Sequence, residues 1–265
     1  MRIGEIMTKS KKTVGINVLI IILIIIFVLS LIMIVRHYIL DYKYRSDFEK
    51  ISFLAPLPSS QHTQNSEQMQ NDEDFTPEEF YLYLKYQNEH TRAYMTIPDT
   101  NVAYPVMYWF ENPEYYLRRD FNKKYSRYGT PFYETRCADD GNARIIYGHH
   151  ISGNKMFGEL LNYRDIDYLK AHNTLYMFNE NGEQSYRIIA SLYTAGNDPD
   201  QIFWRAIDGV YTDEEYSAYL KDIKSKSAAY DDSFTPESLS QILVLSTCEY
   251  SREDGRFLVI AVKQD

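Results

Sequence analysis

The chain is 265 residues long, 45% hydrophobic and 15% aromatic, with a formal net charge of −9 at pH 7. No Lys/Arg stripe interrupts that acidity, which argues against a nucleic-acid partner and serves solubility instead. Cysteine is scarce, with Cys137 and Cys248 the two in the chain.

Residues 18–35 run "VLIIILIIIFVLSLIMIV", without charge and with Ser30 as the one polar side chain. A helix of that length just crosses a hydrocarbon core of roughly 30 Å. It has no polar face for a soluble fold to present. The adjoining "RHYILDYKYR" offers no small-residue cleavage site, so the run reads as a retained signal-anchor. Arg2, Lys9, Lys11 and Lys12 stand before it against Glu5, whereas Arg36, Asp41, Lys43, Arg45, Asp47 and Glu49 after it are mixed in sign. The positive-inside rule then keeps the N-terminus in the cytoplasm and exports the rest of the chain. The expected division is a cytoplasmic tail over 1–12, a transmembrane anchor through the cytoplasmic membrane over 13–36, an extracellular stalk over 37–75 and a folded domain over 76–265. The stalk contains "APLPSSQHTQNSEQMQNDED", too poor in apolar residues to bury a core.

The folded part opens with "FTPEEFYLYLKYQNEH". Thr76 suits an N-cap, Pro77 the first helical position, and Glu78 and Glu79 the positive end of the helix dipole. Phe80, Leu82, Leu84 and neighbouring tyrosines are the expected apolar face. Beyond this helix the chain reads mainly as β. "NVAYPVMYW", "TPFYE", "ARIIYG", "NTLYMFN", "QSYRIIASLYT", "QILVLST" and "RFLVIAV" are short β-branched or aromatic runs between turn formers. "NKMFGELLNYRD", "DIDYLKAH" and "TDEEYSAYLKDIKSKS" read as brief helices between them. That spacing argues for a barrel or sandwich rather than a parallel α/β sheet.

Two of these runs end on reactive side chains. "ARIIYGHH" finishes on His149 and His150 after a flexible glycine, and "QILVLSTC" finishes on Cys248, followed by "EYSREDGR". Taken singly, each feature has an ordinary reading. Cys248 is a packed thiol or half of a disulfide with Cys137. Adjacent histidines bind metal when carboxylates or cysteines stand at ligand spacing, and here none do. Arg256 is a cation at a strand start after a charged hairpin turn. Together they are the parts of an acyl-transfer site. A thiolate nucleophile works at neutral pH beside a proton acceptor or a cation, and a guanidinium is a fixed donor for an oxyanion. The spacing permits the three to converge and does not require it.

The ordered set "IIYGHH…MFGEL" and "LSTCEY…GRFLVIAV" resembles the sortases, the class B branch in particular. "DTNVAYPVMYWFENPEYYLRRDF", "YGTPFYE" and the helix after "YRIIASLYT" extend the likeness over nearly all of residues 76–265. The resemblance implies an eight-stranded β-barrel with short helices. It also implies a membrane-anchored cysteine transpeptidase of Gram-positive cell-wall attachment or pilin joining. Carried over by position, Cys248 matches the nucleophile, His149 the catalytic histidine and Arg256 the arginine that steadies substrate and oxyanion. His150 falls at a bystander position. Ser246 and Thr247 match residues lining the substrate groove, with Glu249 and Tyr250 beside them. The connection from Tyr193 to Gln241, with its helix, is expected to flank that groove and cover the bound peptide.

The implied chemistry needs no metal and no organic cofactor. Its partners are secreted proteins bearing a C-terminal sorting motif, and an amine of a peptidoglycan precursor or cross-bridge, or of a pilin subunit. Two other readings stay open at this level. One is a cysteine peptidase or amidase of cell-wall peptides, in which water replaces the amine. The other is a membrane-tethered β-barrel binding module with a structural thiol.

Overall fold

The computed structural model describes residues 17, 19–36, 38, 39, 42 and 76–264, except 138–141, 197–201, 210, 211 and 252. The expected cytoplasmic tail and most of the stalk lie outside the described residues. The chain divides into two compact units, an N-terminal one and a larger C-terminal one.

In the first unit, α1 (Leu19–Arg36) has 18 residues and a mean hydropathy of 3.3. At 1.5 Å per residue it is about 27 Å long, close to the thickness of a hydrocarbon core. It is long and apolar enough to cross a membrane.

The second unit begins with α2 (Pro77–Gln87), whose start follows its sequence closely. The Thr76 side chain accepts from the Glu79 backbone N–H while the Glu79 carboxylate accepts from the Thr76 N–H, a complete capping box. The apolar face differs by one residue from the expected one. Phe80, Tyr81 and Leu84 are buried, whereas Leu82 is 61% exposed. Leu84 follows Tyr81 at i+3 and Phe80 at i+4, so the three share one stripe, while Leu82 points to the opposite side.

Among the described residues eleven strands come after it: β1 (Thr91–Thr96), β2 (Ala103–Met107), β3 (Phe132–Tyr133), β4 (Ala143–Tyr147), β5 (His150–Ile151), β6 (Lys155–Met156), β7 (Thr174–Asn179), β8 (Gly182–Ala195), β9 (Ser227–Tyr230), β10 (Ile242–Cys248) and β11 (Gly255–Lys263). Eight of them pair in the order β11-β10-β4-β3-β2-β1-β7-β8, and β8 pairs back onto β11 to close a barrel. Closure removes the open sheet edges that invite aggregation. The 14-residue β8 pairs with β7 over residues 182–187 and with the extra strand β9 over 190–192. β5 and β6 form a separate two-stranded pair. The stretch expected as a helix from Asn154 is β6 followed by a 3-10 helix over Phe157–Arg164.

The site is positioned by the centre of this barrel. β10 lies parallel to β4 and antiparallel to β11. All of β10 from Ile242 to Thr247 is buried, which is why "ILVLST" is a continuous rather than an alternating run. Ile242 and Val244 pack with Ile145, Leu258 and Ile260 against Tyr216, Tyr219 and Ile223. The last three come from α5 (Asp213–Lys226), and α4 (Ile202–Asp208) adds Ala206 and Ile207. α3 (Ile166–Ala171) is the remaining short helix.

Candidate active site

The C-terminal ends of the parallel strands β4 and β10 are stitched together beyond their last register pair, Tyr147 with Ser246. The Gly148 N–H donates to the Ser246 carbonyl at 3.1 Å. The Thr247 hydroxyl donates to the Gly148 carbonyl at 2.8 Å. His149 and Cys248, the next residues on each strand, therefore leave the barrel at the same level. Gly148 is required here by space rather than by backbone angle. A Cβ on it would sit 2.4 Å from the Phe157 ring. Gly148→Ala is thus expected to cost about 1–3 kcal/mol through overpacking, read as a fall of several degrees in Tm. An alanine variant with unchanged Tm would contradict this packing argument.

Arg256 reaches Cys248 through strand register. The two are directly paired on β10 and β11, so their side chains leave the same face. The Arg256 guanidinium lies 3.8 Å from Cys248 Sγ. Its other terminal nitrogen bonds Asp254 at 3.0 Å. Asp254 has a left-handed φ of 48°, and its backbone carbonyl accepts from the Gly196 N–H at 2.9 Å. A Cβ on Gly196 would fall 2.6 Å from the Asp254 carboxylate. This glycine just after β8 makes room for the carboxylate that aims the arginine.

The two histidines take different posts. His149 lines the cleft that holds Cys248. Its Nε2 lies 2.7 Å from the Leu117 carbonyl. A carbonyl only accepts, so Nε2 carries the hydrogen, and in the neutral ring Nδ1 is the bare nitrogen. Burial pushes the His149 pKa below its ordinary 6.5, with Arg118 adding to the effect against the raising influence of the Leu117 bond. His150 donates from Nδ1 to the Cys248 carbonyl at 3.1 Å and stacks on Tyr250 with ring centroids 5.3 Å apart. It supports the backbone of the cysteine without lining the cleft.

The cleft has a volume of about 680 Å³. Cys248, His149, Arg256, Ser246 and Thr247 form one part of its lining. Ser246 is 1% exposed, and its hydroxyl has no partner among the described residues. Glu134, Arg136 and Tyr147 contribute to another part. The buried Glu134 carboxylate accepts from Arg136 at 2.7 and 2.9 Å and from the Tyr147 hydroxyl at 2.7 Å. Burial raises its pKa, but these donors outweigh it and hold the carboxyl below its usual value.

Three features expected near the groove lie largely off the cleft lining among the described residues. Glu249 and Tyr250 do not line the cleft. The Glu249 carboxylate is taken by the Ser251 N–H and hydroxyl at 2.9 and 2.6 Å, and Tyr250 is 73% exposed against His150. The connection from Tyr193 to Gln241 contributes Gly196 alone to the lining among the described residues, because α5 packs on β8 and β9. The segment Asn112–Leu117 also lines the cleft, with Asn112, Pro113, Glu114, Tyr116 and Leu117 on its wall. Cys137 and Cys248 are both free thiols, the first buried and the second half-buried. Burial pushes the Cys137 thiol up in pKa.

Several site residues leave no recognisable trace in the sequence. A backbone carbonyl such as that of Leu117 has no side-chain signature at all. Asp254 is hidden in a charged turn, although its position two residues before the arginine is a usable signal. Glu134 and Arg136 stand just past a short strand, where a carboxylate and a cation are commonplace.

No protein-family model matches the chain. Sortase B of Staphylococcus aureus is 26% identical over 232 residues, covering 86% of this chain and 88% of that protein. A solved Streptococcus pyogenes class B sortase involved in pilus biogenesis is 28% identical with a TM-score of 0.60, covering 69% of this chain and 97% of that one. These likenesses in sequence and fold support a class B sortase. The chain is accordingly a cysteine transpeptidase. The barrel also matches the Staphylococcus aureus sortase B–substrate complex at a TM-score of 0.67 and 23% identity, over 86% of this chain and 99% of that one. That last likeness is one of fold, and it agrees with the eight-stranded closure of the sortase barrel.

Proposed function

We propose that this sortase uses Cys248 as nucleophile, His149 as acid and base, and Arg256 as the oxyanion donor. The observation that carries the reading is the lining of one cleft by all three, with the guanidinium 3.8 Å from the sulfur. In the first half, the Cys248 proton passes to His149 and the sulfur attacks a backbone carbonyl of a sorting motif in a secreted protein. The C–N bond breaks as the imidazolium protonates the departing amine, leaving a thioester. In the second half, an amine attacks the thioester, His149 takes its proton, and the C–S bond breaks to release an amide. Arg256, fixed by Asp254, stabilises the oxyanion in both halves without reorganising. The amine belongs to a peptidoglycan precursor or cross-bridge, or to a pilin subunit. The pilus role of the streptococcal relative supports the last option.

Product analysis tests the transfer step. Supplying a wall-derived amine should divert the product from free acid to amide in proportion to amine concentration. A product ratio indifferent to every such amine would favour a peptidase acting with water.

Ser246 belongs to the same proposal as a substrate contact. A buried hydroxyl without a partner is a cost to the free protein and a ready donor or acceptor for a bound peptide. Ser246→Ala should leave Tm unchanged or slightly raised while raising KM by about three- to tenfold. A variant with unchanged KM would remove Ser246 from the groove.

The apolar α1 serves in this reading as a membrane anchor, with the domain outside. The basic residues before it and the mixed charges after it support that orientation. Protease added to intact protoplasts should digest the domain. Its survival there, with the purified chain digested in parallel, would reverse the topology.

A further inference from the structure

The carbonyl that holds His149 belongs to a segment clamped from two sides. Tyr116 and Leu117 lie in a 3-10 helix over Tyr115–Arg118. Tyr116 is 1% exposed and Asn88, after α2, is 3% exposed. Asn88 Nδ2 donates to the Tyr116 hydroxyl at 2.9 Å and to the Phe121 carbonyl at 2.6 Å. Asn88 Oδ1 accepts from the His90 backbone N–H at 3.1 Å and, with its second lone pair, faces the Tyr116 hydroxyl at 3.2 Å. The Tyr116 hydroxyl also lies 3.0 Å from His90 Nδ1. Burial lowers the His90 pKa, so the neutral ring can accept the tyrosine proton at that nitrogen. On the other side, the Thr130 N–H donates to the Tyr116 carbonyl at 3.0 Å. Gly129, at φ 61°, lets the chain pass so close that a Cβ would stand 2.7 Å from both the Tyr116 and Leu117 carbonyls.

We infer that Tyr116, clamped by Asn88 and His90, is a positioning residue for His149, acting through the Leu117 carbonyl. Three polar anchors fix the residue next to Leu117, so its carbonyl presents one acceptor at one place. That acceptor holds the imidazole by Nε2 and leaves Nδ1 as the nitrogen free to exchange protons. Loss of the tyrosine hydroxyl would free the segment to move and release the ring from a single tautomer. The charged group influencing His149 is Arg118, and those influencing His90 are Lys123, Glu89, Glu111 and Lys85. The inference rests on the catalytic reading of His149, and its test separates the two.

The test uses the full chain in detergent micelles, labelled with 15N-histidine, and iodoacetamide as the thiol probe. NMR reads the His149 tautomer, and mass spectrometry of the Cys248 peptide reads alkylation rate against pH. In the unmodified chain, His149 should show the Nε2–H tautomer and its inflection should lie below 6.5. In Tyr116→Phe the tautomers should mix and the inflection should move up toward the ordinary value. His90→Gln, which retains a side-chain acceptor for the hydroxyl, should keep the unmodified signature. Tyr86→Phe, at a tyrosine 88% exposed on α2, should change neither readout. Should Tyr116→Phe fail to fold, His90→Leu removes one anchor and should give the same direction of change. A folded Tyr116→Phe or His90→Leu with an unaltered His149 tautomer and inflection would overturn the inference. Transpeptidation surviving in His149→Ala would instead overturn the catalytic reading and leave the NMR link intact.

Discussion

Cys248→Ala should lower transpeptidation by about three orders of magnitude or more, and Arg256→Ala by about two to three. The difference follows from their roles. In the proposed mechanism, removing the sulfur removes the atom that forms the acyl-enzyme, whereas removing the guanidinium takes away one fixed donor to a transient charge. Both side chains line the cleft rather than joining the cluster beneath α5. Thermal midpoints should therefore stay within a few degrees. Arg256→Lys should recover little, since a single ammonium cannot bond Asp254 and face the sulfur with the same rigid fork. Steady-state rates and melting curves on the unmodified chain and the three variants check the set. An active Arg256→Ala would remove the oxyanion role.

The second large effect separates two adjacent histidines. His149→Ala should match Cys248→Ala in severity, because no other imidazole lines the cleft among the described residues. His150→Ala should retain activity within about tenfold. It loses a bond to the Cys248 carbonyl and a stack on Tyr250, both of which support the loop without exchanging protons with substrate. The pH dependence gives an independent sign. As pH drops through the ordinary value of 6.5, the unfolded chain protonates His149 before the folded one does, so the stability contributed by this ring falls. His149→Gln should flatten that part of the stability curve. A dead His150→Ala beside a live His149→Ala would exchange the two assignments.

The strands are legible in sequence where burial on both faces makes continuous apolar runs, as in β10 and β11. The capping box at Thr76 is legible because its residues act on one another locally. β1 is not, since "TRAYMT" carries the charged Arg92 and comes after a helix without a clear turn former. β9 is hidden because "SAAY" continues the helical pattern of α5 in sequence, while its pairing with β8 is a tertiary event. Within the site, the Cys248–Arg256 relation is readable in outline, as a hairpin can bring such residues into register. The closing of the cleft is not. The Leu117 carbonyl acts through backbone, Thr247 acts by stitching two strands, and the wall at Asn112–Leu117 comes from an irregular connection. Glu249 is expected near the groove from its place beside the cysteine in sequence, and its carboxylate also accepts from the turn's own donors at Ser251.

The most direct measurement of the proposed chemistry is the intact mass of the full chain mixed with sorting-motif peptides and quenched in acid. The expected result is an added mass equal to the acyl fragment, mapped to the Cys248 peptide, absent in Cys248→Ala, and discharged as an amide when amine is supplied. Turnover of the peptide by a chain that never carries mass on Cys248, or that carries it on Cys137, would contradict the thioester mechanism.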